Sequence, residues 1–582
     1  MKRTHYDKFP EVTLQGFDTQ AWQGWEAIAD AVNARCAAGQ KTVLVIDCYP
    51  GVRLAEIERQ LLARFNADLQ LNVERARQNE QALHALLARN LTDDRVFGVL
   101  SCHQLAEFFD ADALAAQQKQ VADLPAGLAI VYGPGAALVH PGDILVYADL
   151  PRWEIQQRMR AGELGNWGVE NQQEDILRRY KRAFFVEWRV FDRHKTPLLQ
   201  RCDFLLDTTV ANAPAMVSGE ALRAGLAHTA QRPFRVVPFF DPGVWGGQWM
   251  KQRFDLDPEK PNYAWCFDCV PEENSLLMRF GDVRIEIPSL DLVLLQPRAL
   301  LGEKVHARFG AEFPIRFDFL DTIGGQNLSF QVHPLTEYIQ QQFGMHYTQD
   351  ESYYILDAEP GAVVYLGTKT GTSPATMLDD LRRAARGEKP FDDARFVNQI
   401  AARKHDHFLI PAGTVHCSGS GTMVLEISAT PYIFTFKLWD WGRLGLDGQP
   451  RPVHLDHGEQ VIDWQRDTGW VNQHLVNRIE PVDEGDGWRE ERTGLHEREF
   501  IETRRHWFTV PVTHHTEGGV NVLNLVEGDE ARVDSPSGAF APFVVHYAET
   551  FIIPAAVGEY RISPWGKGIG QQLATVKAWV RG

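Results

Sequence analysis

Hydrophobic patterning divides the 582-residue chain into two textures. Up to about residue 230, short apolar runs alternate with helical stretches. Ala21 to Ala38 has helical spacing, Thr42-Val-Leu-Val-Ile-Asp47 reads as a buried strand, and Leu54 to Phe65 as an amphipathic helix. Val96 to Leu100, Gly127 to Tyr132 and Asp143 to Asp149 read as further strands, and Glu174 to Asp192 as a charge-rich helix. Strands alternating with helices predict a parallel sheet covered on both faces.

From Arg232 the texture changes to short strands separated by Gly and Pro turns. Asn262 to Asp268 and Leu276 to Ile287 alternate at period two. Pro374 to Ile400 is the one clear helical block in this half. Phe408 to His416 and Met423 to Ile427 return to strands, and Asp483 to Trp488 reads as a linker. The tail alternates again through Val520 to Val526 and Thr550 to Pro554. Phe408-Leu-Ile-Pro-Ala-Gly-Thr-Val-His416 and Phe551-Ile-Ile-Pro-Ala-Ala-Val-Gly-Glu559 form a faint internal repeat, which predicts two stacked all-β barrels. The second copy lacks the Gly and the His, so it is not expected to hold metal.

Composition narrows the class. A chain this long exceeds one ordinary core, so several domains are expected. No apolar run reaches the ~20 residues of a membrane span, and the polar start lacks the apolar core of a signal peptide. A soluble cytoplasmic protein is the expectation. The net charge of −18 argues against nucleic-acid or anionic-membrane partners. Seven scattered cysteines fit reduced thiols, and the lone Cys266-Phe-Asp-Cys269 reads as two incidental thiols in a strand. Arg158, Arg160, Arg178, Arg179, Lys181 and Arg182 read as a solvated helix face.

Three stretches carry the chemistry. In Leu328-Ser-Phe-Gln-Val-His-Pro334, Gln331 and His333 stand two apart, which on a strand puts both on one face. Glu351 opens a second strand-like run, and His416 follows a Pro-Ala-Gly turn. Two imidazoles, a carboxylate and an amide oxygen suit a zinc-like divalent ion, and manganese or iron would accept the same donors. His346, His405, His407, His514 and His515 read as packing or surface residues.

The first strand runs into Cys48-Tyr-Pro-Gly-Val-Arg-Leu54 and a helix, where a phosphate loop would sit. With Asp143 to Pro151 and the arginines after it, residues 1–230 loosely resemble the P-loop domains of uridine kinase and phosphoribulokinase. Only Gly51 remains of the glycine-rich loop and no lysine follows it, so a degenerate kinase-like α/β domain is expected.

Residues from about 233 to 582 resemble class I phosphomannose isomerases, which are two-cupin metalloenzymes with a helical insert. The resemblance rests on Trp245-Gly-Gly247, the Gln331 and His333 stretch, Glu351 to Gly361, Ile410 to His416, Leu425-Glu-Ile427, Trp439-Asp-Trp-Gly-Arg443, Arg451-Pro-Val-His454 and Ile553 to Tyr560. It implies a metal-binding jelly-roll domain over 231–480 with the helical insert 374–400, and a second barrel without metal over 481–582. It also implies metal ligands at Gln331, His333, Glu351 and His416, and an aldose–ketose isomerase of mannose 6-phosphate and fructose 6-phosphate or a related hexose.

Such chemistry passes through an enediol and needs a proton carrier and charge neutralisation. Glu426, Lys437 and Arg443 are the candidate catalytic groups, and Ser329, Tyr353 and Arg451 the candidate substrate contacts. Three departures stand out: Gln349 where the family has a Lys, Lys437 where it has an Arg, and Asp318, with Arg316 close by, where it has a Lys. A metal-containing sugar sensor without catalysis and a bifunctional sugar kinase–isomerase are the rival readings. The partner expected is a small sugar or sugar phosphate, and a homo-oligomer is among the open assembly states.

Overall fold

Strand Thr42–Cys48 is buried at every position, as its unbroken apolar run requires of a strand covered on both faces. The computed structural model describes residues 4–36, 40–446, 448–494 and 496–582 and places this strand inside a seven-stranded sheet. Leu128–Gly133 and Ile144–Asp149 flank it in parallel, and Leu69–Asn72 and Phe204–Asp207 extend the parallel set. Ala215–Ser218 and Ala21–Gln23 close one edge antiparallel. The sheet is therefore mixed, with a parallel centre.

Three local expectations change. Ala21 to Ala38 is not one helix: Ala21–Gln23 is a strand and the helix is Trp25–Asn33, separated by Gly24 at φ +84°. The last of that stretch, residues 37 and 38, falls outside the described residues. Val96 to Leu100 is no strand, because Asn90 satisfies its backbone in place of a neighbouring strand. The Asn90 amide donates to the Val99 carbonyl at 2.9 Å, and Val99 N–H donates to the Asn90 carbonyl at 2.7 Å.

The arginine-rich face is not solvated. Arg158, Arg179, Lys181 and Arg182 are buried, and each donates to backbone carbonyls. Arg158 donates to the Gly51, Thr208 and Thr209 carbonyls, Arg179 to Met159, Lys181 to Asp94 and Arg182 to Trp167. Arg160 alone of the group is exposed, and its Nε donates to the Tyr180 hydroxyl at 2.6 Å.

The chain divides into two compact units, Glu11–Thr229 with Glu272–Gln296, and Met1–Pro10 with Ala230–Pro271 and Pro297–Gly582. The alternating stretch around Leu276 to Ile287 is a hairpin, Ser275–Phe280 with Val283–Pro288, but it belongs to the first of these units. There it pairs in parallel with Glu11–Leu14, and the Glu286 N–H donates to Asp207 at 2.8 Å. The first residues instead join the second unit: Arg235 lies 4.7 Å above the Tyr6 ring, and Asp7 N–H donates to Glu549.

In the second unit, two pairs of antiparallel sheets follow one another. The first pair has a six-stranded sheet, in order His407–Ile410, Asp350–Ala358, Thr422–Ala429, Ile315–Asp321, Trp265–Cys269 and Phe239–Asp241. Its companion is five-stranded, in order Val397–Ala401, Val363–Thr368, His416–Ser418, Phe330–Val332 and Phe436–Trp439. The helical block is shorter than expected: Pro374–Ala385 and Asp393–Phe396 are helices, and Val397 already begins a strand. Ser373 caps the first helix with Pro374 in its first turn, a favoured start.

The second pair has a six-stranded sheet running from Glu480–Gly485 to Thr550–Ile553 and a four-stranded sheet of Val512–His515, Glu559–Pro564, Glu530–Asp534 and Phe543–His546. Asp483 to Trp488 is not a linker but the turn of a hairpin, Glu480–Gly485 against Trp488–Gly494. Cys266 and Cys269 lie buried as free thiols on strand Trp265–Cys269. Among the described residues no helix is long and apolar enough to cross a membrane.

Candidate metal centre

The two sheets of the first pair bring the four candidate ligands together. Gln331 lies on Phe330–Val332, directly opposite His416 on His416–Ser418, and His333 follows two residues later. Glu351 reaches in from Asp350–Ala358 on the facing sheet. His333, Glu351 and His416 are 2, 1 and 0% exposed, and their donor atoms all lie within 4.8 Å of one another.

Hydrogen bonds behind the imidazoles decide what they offer. His333 Nδ1 lies 2.8 Å from the Phe434 carbonyl and His416 Nδ1 lies 2.9 Å from the Thr414 carbonyl. A carbonyl accepts only, so each ring carries its proton on Nδ1 and leaves an Nε2 lone pair free. Those lone pairs face Glu351, at 3.1 Å from Oε2 and 3.0 Å from Oε1, and neither Nε2 makes a hydrogen bond. Lone pairs turned on a carboxylate repel unless a cation lies between them. Zinc–ligand bonds of about 2.0–2.1 Å put tetrahedral neighbours ~3.3 Å apart, close to these separations. The donor set therefore fits a divalent cation, with backbone carbonyls fixing both rings as metal-binding histidines require.

Gln349 donates to Glu351 Oε2 at 2.8 Å and to Glu426 Oε1 at 3.1 Å, while its own carbonyl accepts from Phe434 N–H. Glu426, on Thr422–Ala429, stands opposite both Asp318 and Tyr353. Burial first, then the Glu351 and Asp318 carboxylates, push its pKa well up, so it is held as the acid. Burial likewise raises Asp318 to about 7, with Arg316 opposing.

Tyr353 is fully buried, with its ring edge-on to His416 at 5.9 Å. Its hydroxyl and the buried Ser329 hydroxyl complete no hydrogen bond.

The remaining candidates form a second cluster. Lys437 on Phe436–Trp439 lies opposite Gln331 in register. Burial lowers its pKa to about 8, helped by Arg451 and Arg443 and opposed by Asp440. Arg443 and Arg451 both pair with Asp440, and Arg443 also donates to the Asn327 carbonyl at 2.7 Å. Three cations thus surround one carboxylate. The sequence pattern had singled out each cation, but not Asp440 as their shared counter-ion. Gln349 was noticed only as a missing lysine; its bridging role needs the facing strands.

The chain is similar to known proteins in two separate stretches. Residues 24–231 match a family described as "Domain of unknown function (DUF8485)". The mannose-6-phosphate isomerase ManA of Bacillus subtilis (strain 168) is 26% identical over 234 residues, covering 40% of this chain and 68% of the relative. The mannose-6-phosphate isomerase of Streptococcus mutans is 26% identical over 221 residues, 38% of this chain and 64% of the relative. The crystal structure of the Bacillus subtilis mannose 6-phosphate isomerase superposes with a TM-score of 0.48 at 18% identity, covering 60% of this chain and 99% of that one. Over about 40% of its length the chain is thus similar to mannose-6-phosphate isomerases, which are sugar-phosphate isomerases.

Proposed function

We propose that this protein is a metal-dependent aldose–ketose isomerase interconverting mannose 6-phosphate and fructose 6-phosphate. The observation that carries the reading is the pair of buried Nε2 lone pairs of His333 and His416 converging on Glu351. Gln331, His333, Glu351 and His416 would hold the ion. Bound there, zinc, manganese or iron would supply Lewis-acid neutralisation of the enediolate charge. The named activity of the relatives supports the same substrate pair.

The chain's own residues divide the remaining work. Glu426, held as an acid beside Glu351, would donate its proton to a sugar oxygen as the enediol forms and take it back as the enediol collapses. Ser329 and Tyr353 offer buried, uncommitted hydroxyls to the sugar. Lys437, Arg443 and Arg451, offset only by Asp440, form the cationic cluster that a substrate phosphate needs. This cluster supplies cations that the Gln349 and Asp318 exchanges had removed.

For the other unit the reading is a degenerate P-loop kinase-like fold with a non-catalytic role. Supporting it, the loop after Thr42–Cys48 keeps one glycine, Gly51 at φ +107°, and its carbonyl is held by Arg158. A coupled assay that detects fructose 6-phosphate from mannose 6-phosphate tests the activity. Turnover that disappears with a chelator and returns with added metal supports it. A metal-replete protein inactive on every hexose and hexose phosphate would favour the sensor.

A further inference from the structure

The second pair of sheets lines an open cavity of about 600 Å³ with no assigned role. Its interior rows change character along the strands. On Ile501–Phe508 the row reads Arg504, His506, Phe508, and on Leu573–Val580 it reads Leu573, Thr575, Lys577, Trp579. Asn521, Leu523 and Leu525 make the third row. Phe508, Leu573, Leu523 and Leu525 join the apolar core, so one end of the interior is packed and the other is polar.

The polar end is built rather than incidental. His506 and His514 are 3 and 6% exposed, with ring centroids 4.5 Å apart. His506 Nδ1 and His514 Nε2 are both buried without a hydrogen-bond partner. Leaving such groups unpaired is costly, which marks them as awaiting one. His514 is fixed by stacking on Tyr560, whose hydroxyl donates to Asn521 at 2.9 Å. Glu490 is already engaged by Arg504 at 2.9 Å and His506 at 3.0 Å. Lys577 is 8% exposed, lies 5.0 Å over the Trp579 ring, and makes no ion pair or hydrogen bond among the described residues. A third metal donor is missing here: among the described residues, only His333, Glu351 and His416 form a three-donor group. Asp483 and Glu517 also line the cavity, and Glu490, Glu502 and Glu517 act on Lys577 from beyond ion-pairing distance, which leaves the ammonium and the two imidazoles as the donors open to an anion.

We propose that this cavity is a second ligand site, binding the phosphate or carboxylate group of a small sugar-like anion through Lys577, His506 and His514. The volume lies in the range of ~300–1,000 Å³ usual for small-molecule sites. Burial holds Lys577 down to about 8 and His514 well below its ordinary value, and an anion bound beside them would raise both. The proposal does not depend on the isomerase reading, since none of these residues belongs to the metal centre.

Calorimetric titration of the full chain with glucose 6-phosphate, gluconate and inorganic phosphate tests it, using a Glu351→Ala, Arg443→Ala, Arg451→Ala variant to silence both the metal centre and its cationic cluster. At least one probe is expected to bind this variant at one site per chain, and the probe that binds identifies the group recognised. Adding Lys577→Met should weaken that binding at least tenfold, and Lys577→Arg should restore it. If Lys577→Met does not fold, the His506 and His514 ring resonances of the unsubstituted chain should shift on adding the probe. No binding by any probe, equal binding after Lys577→Met, or unmoved resonances would overturn the proposal.

Discussion

The Gln349 amide bridges Glu351 and Glu426, donating at 2.8 Å to one carboxyl and 3.1 Å to the other. One neutral side chain thus touches both a candidate metal ligand and the proposed proton carrier. Replacing it with alanine removes the donor that the two buried carboxyl groups share and leaves Glu426 with Ser428 alone. A hydrogen bond to a charged group contributes about 1.5–3 kcal/mol, and loss of such a supporting contact typically lowers metal affinity ~10–100-fold. Gln349→Ala should therefore weaken metal binding by that factor, measured by competition with a chromophoric chelator.

Glu426 separates metal holding from proton transfer. Glu426→Gln keeps the shape, the Ser428 contact and the neutrality of the acid form. It should retain a full metal complement while kcat falls by ~10²–10⁴, the usual worth of a general acid–base. Steady-state kinetics beside elemental analysis would distinguish this from a ligand defect.

The cationic cluster should act on the phosphate and not on the chemistry. Arg451→Ala removes one of two guanidinium partners of Asp440. With charge-assisted bonds worth ~1.5–3 kcal/mol, KM for mannose 6-phosphate should rise about 10–100-fold with a smaller change in kcat. Unphosphorylated mannose should show no such penalty.

His407 makes acid stability testable. It is fully buried, 5.6 Å from the Tyr354 ring, and burial followed by nearby Arg505 lowers its pKa to about 3. The unfolded chain takes up this proton near pH ~6.5 while the folded chain does not until about 3. Its contribution is therefore present above pH ~6.5 and lost as pH falls through that window. Between pH 7.5 and 4 the cost is ~3 kcal/mol. His407→Leu should leave neutral-pH stability nearly unchanged and flatten the acid limb by that amount in denaturant titrations.

The metal centre was legible because its signals are local. Gln331 and His333 share a face by strand period, and the turn before His416 marks its position. What escaped was decided by partners far along the chain. Alternation identifies Leu276 to Ile287 as a hairpin, yet nothing in it says that it pairs with Glu11–Leu14. Arg158 and Arg182 look solvated on a helical wheel, but they lie buried and donate to backbone carbonyls. His514 read as an ordinary packing residue until His506 and Lys577 appeared beside it in one cavity.

The most direct measurement compares metal content and turnover in the full chain and in His333→Ala and Glu351→Ala. Elemental analysis should find about one divalent ion per chain in the unsubstituted protein, together with conversion of mannose 6-phosphate to fructose 6-phosphate. Both variants should lose the ion and the turnover together while remaining folded by circular dichroism. A variant that stays metal-replete and active would contradict the assignment of these residues as the metal centre.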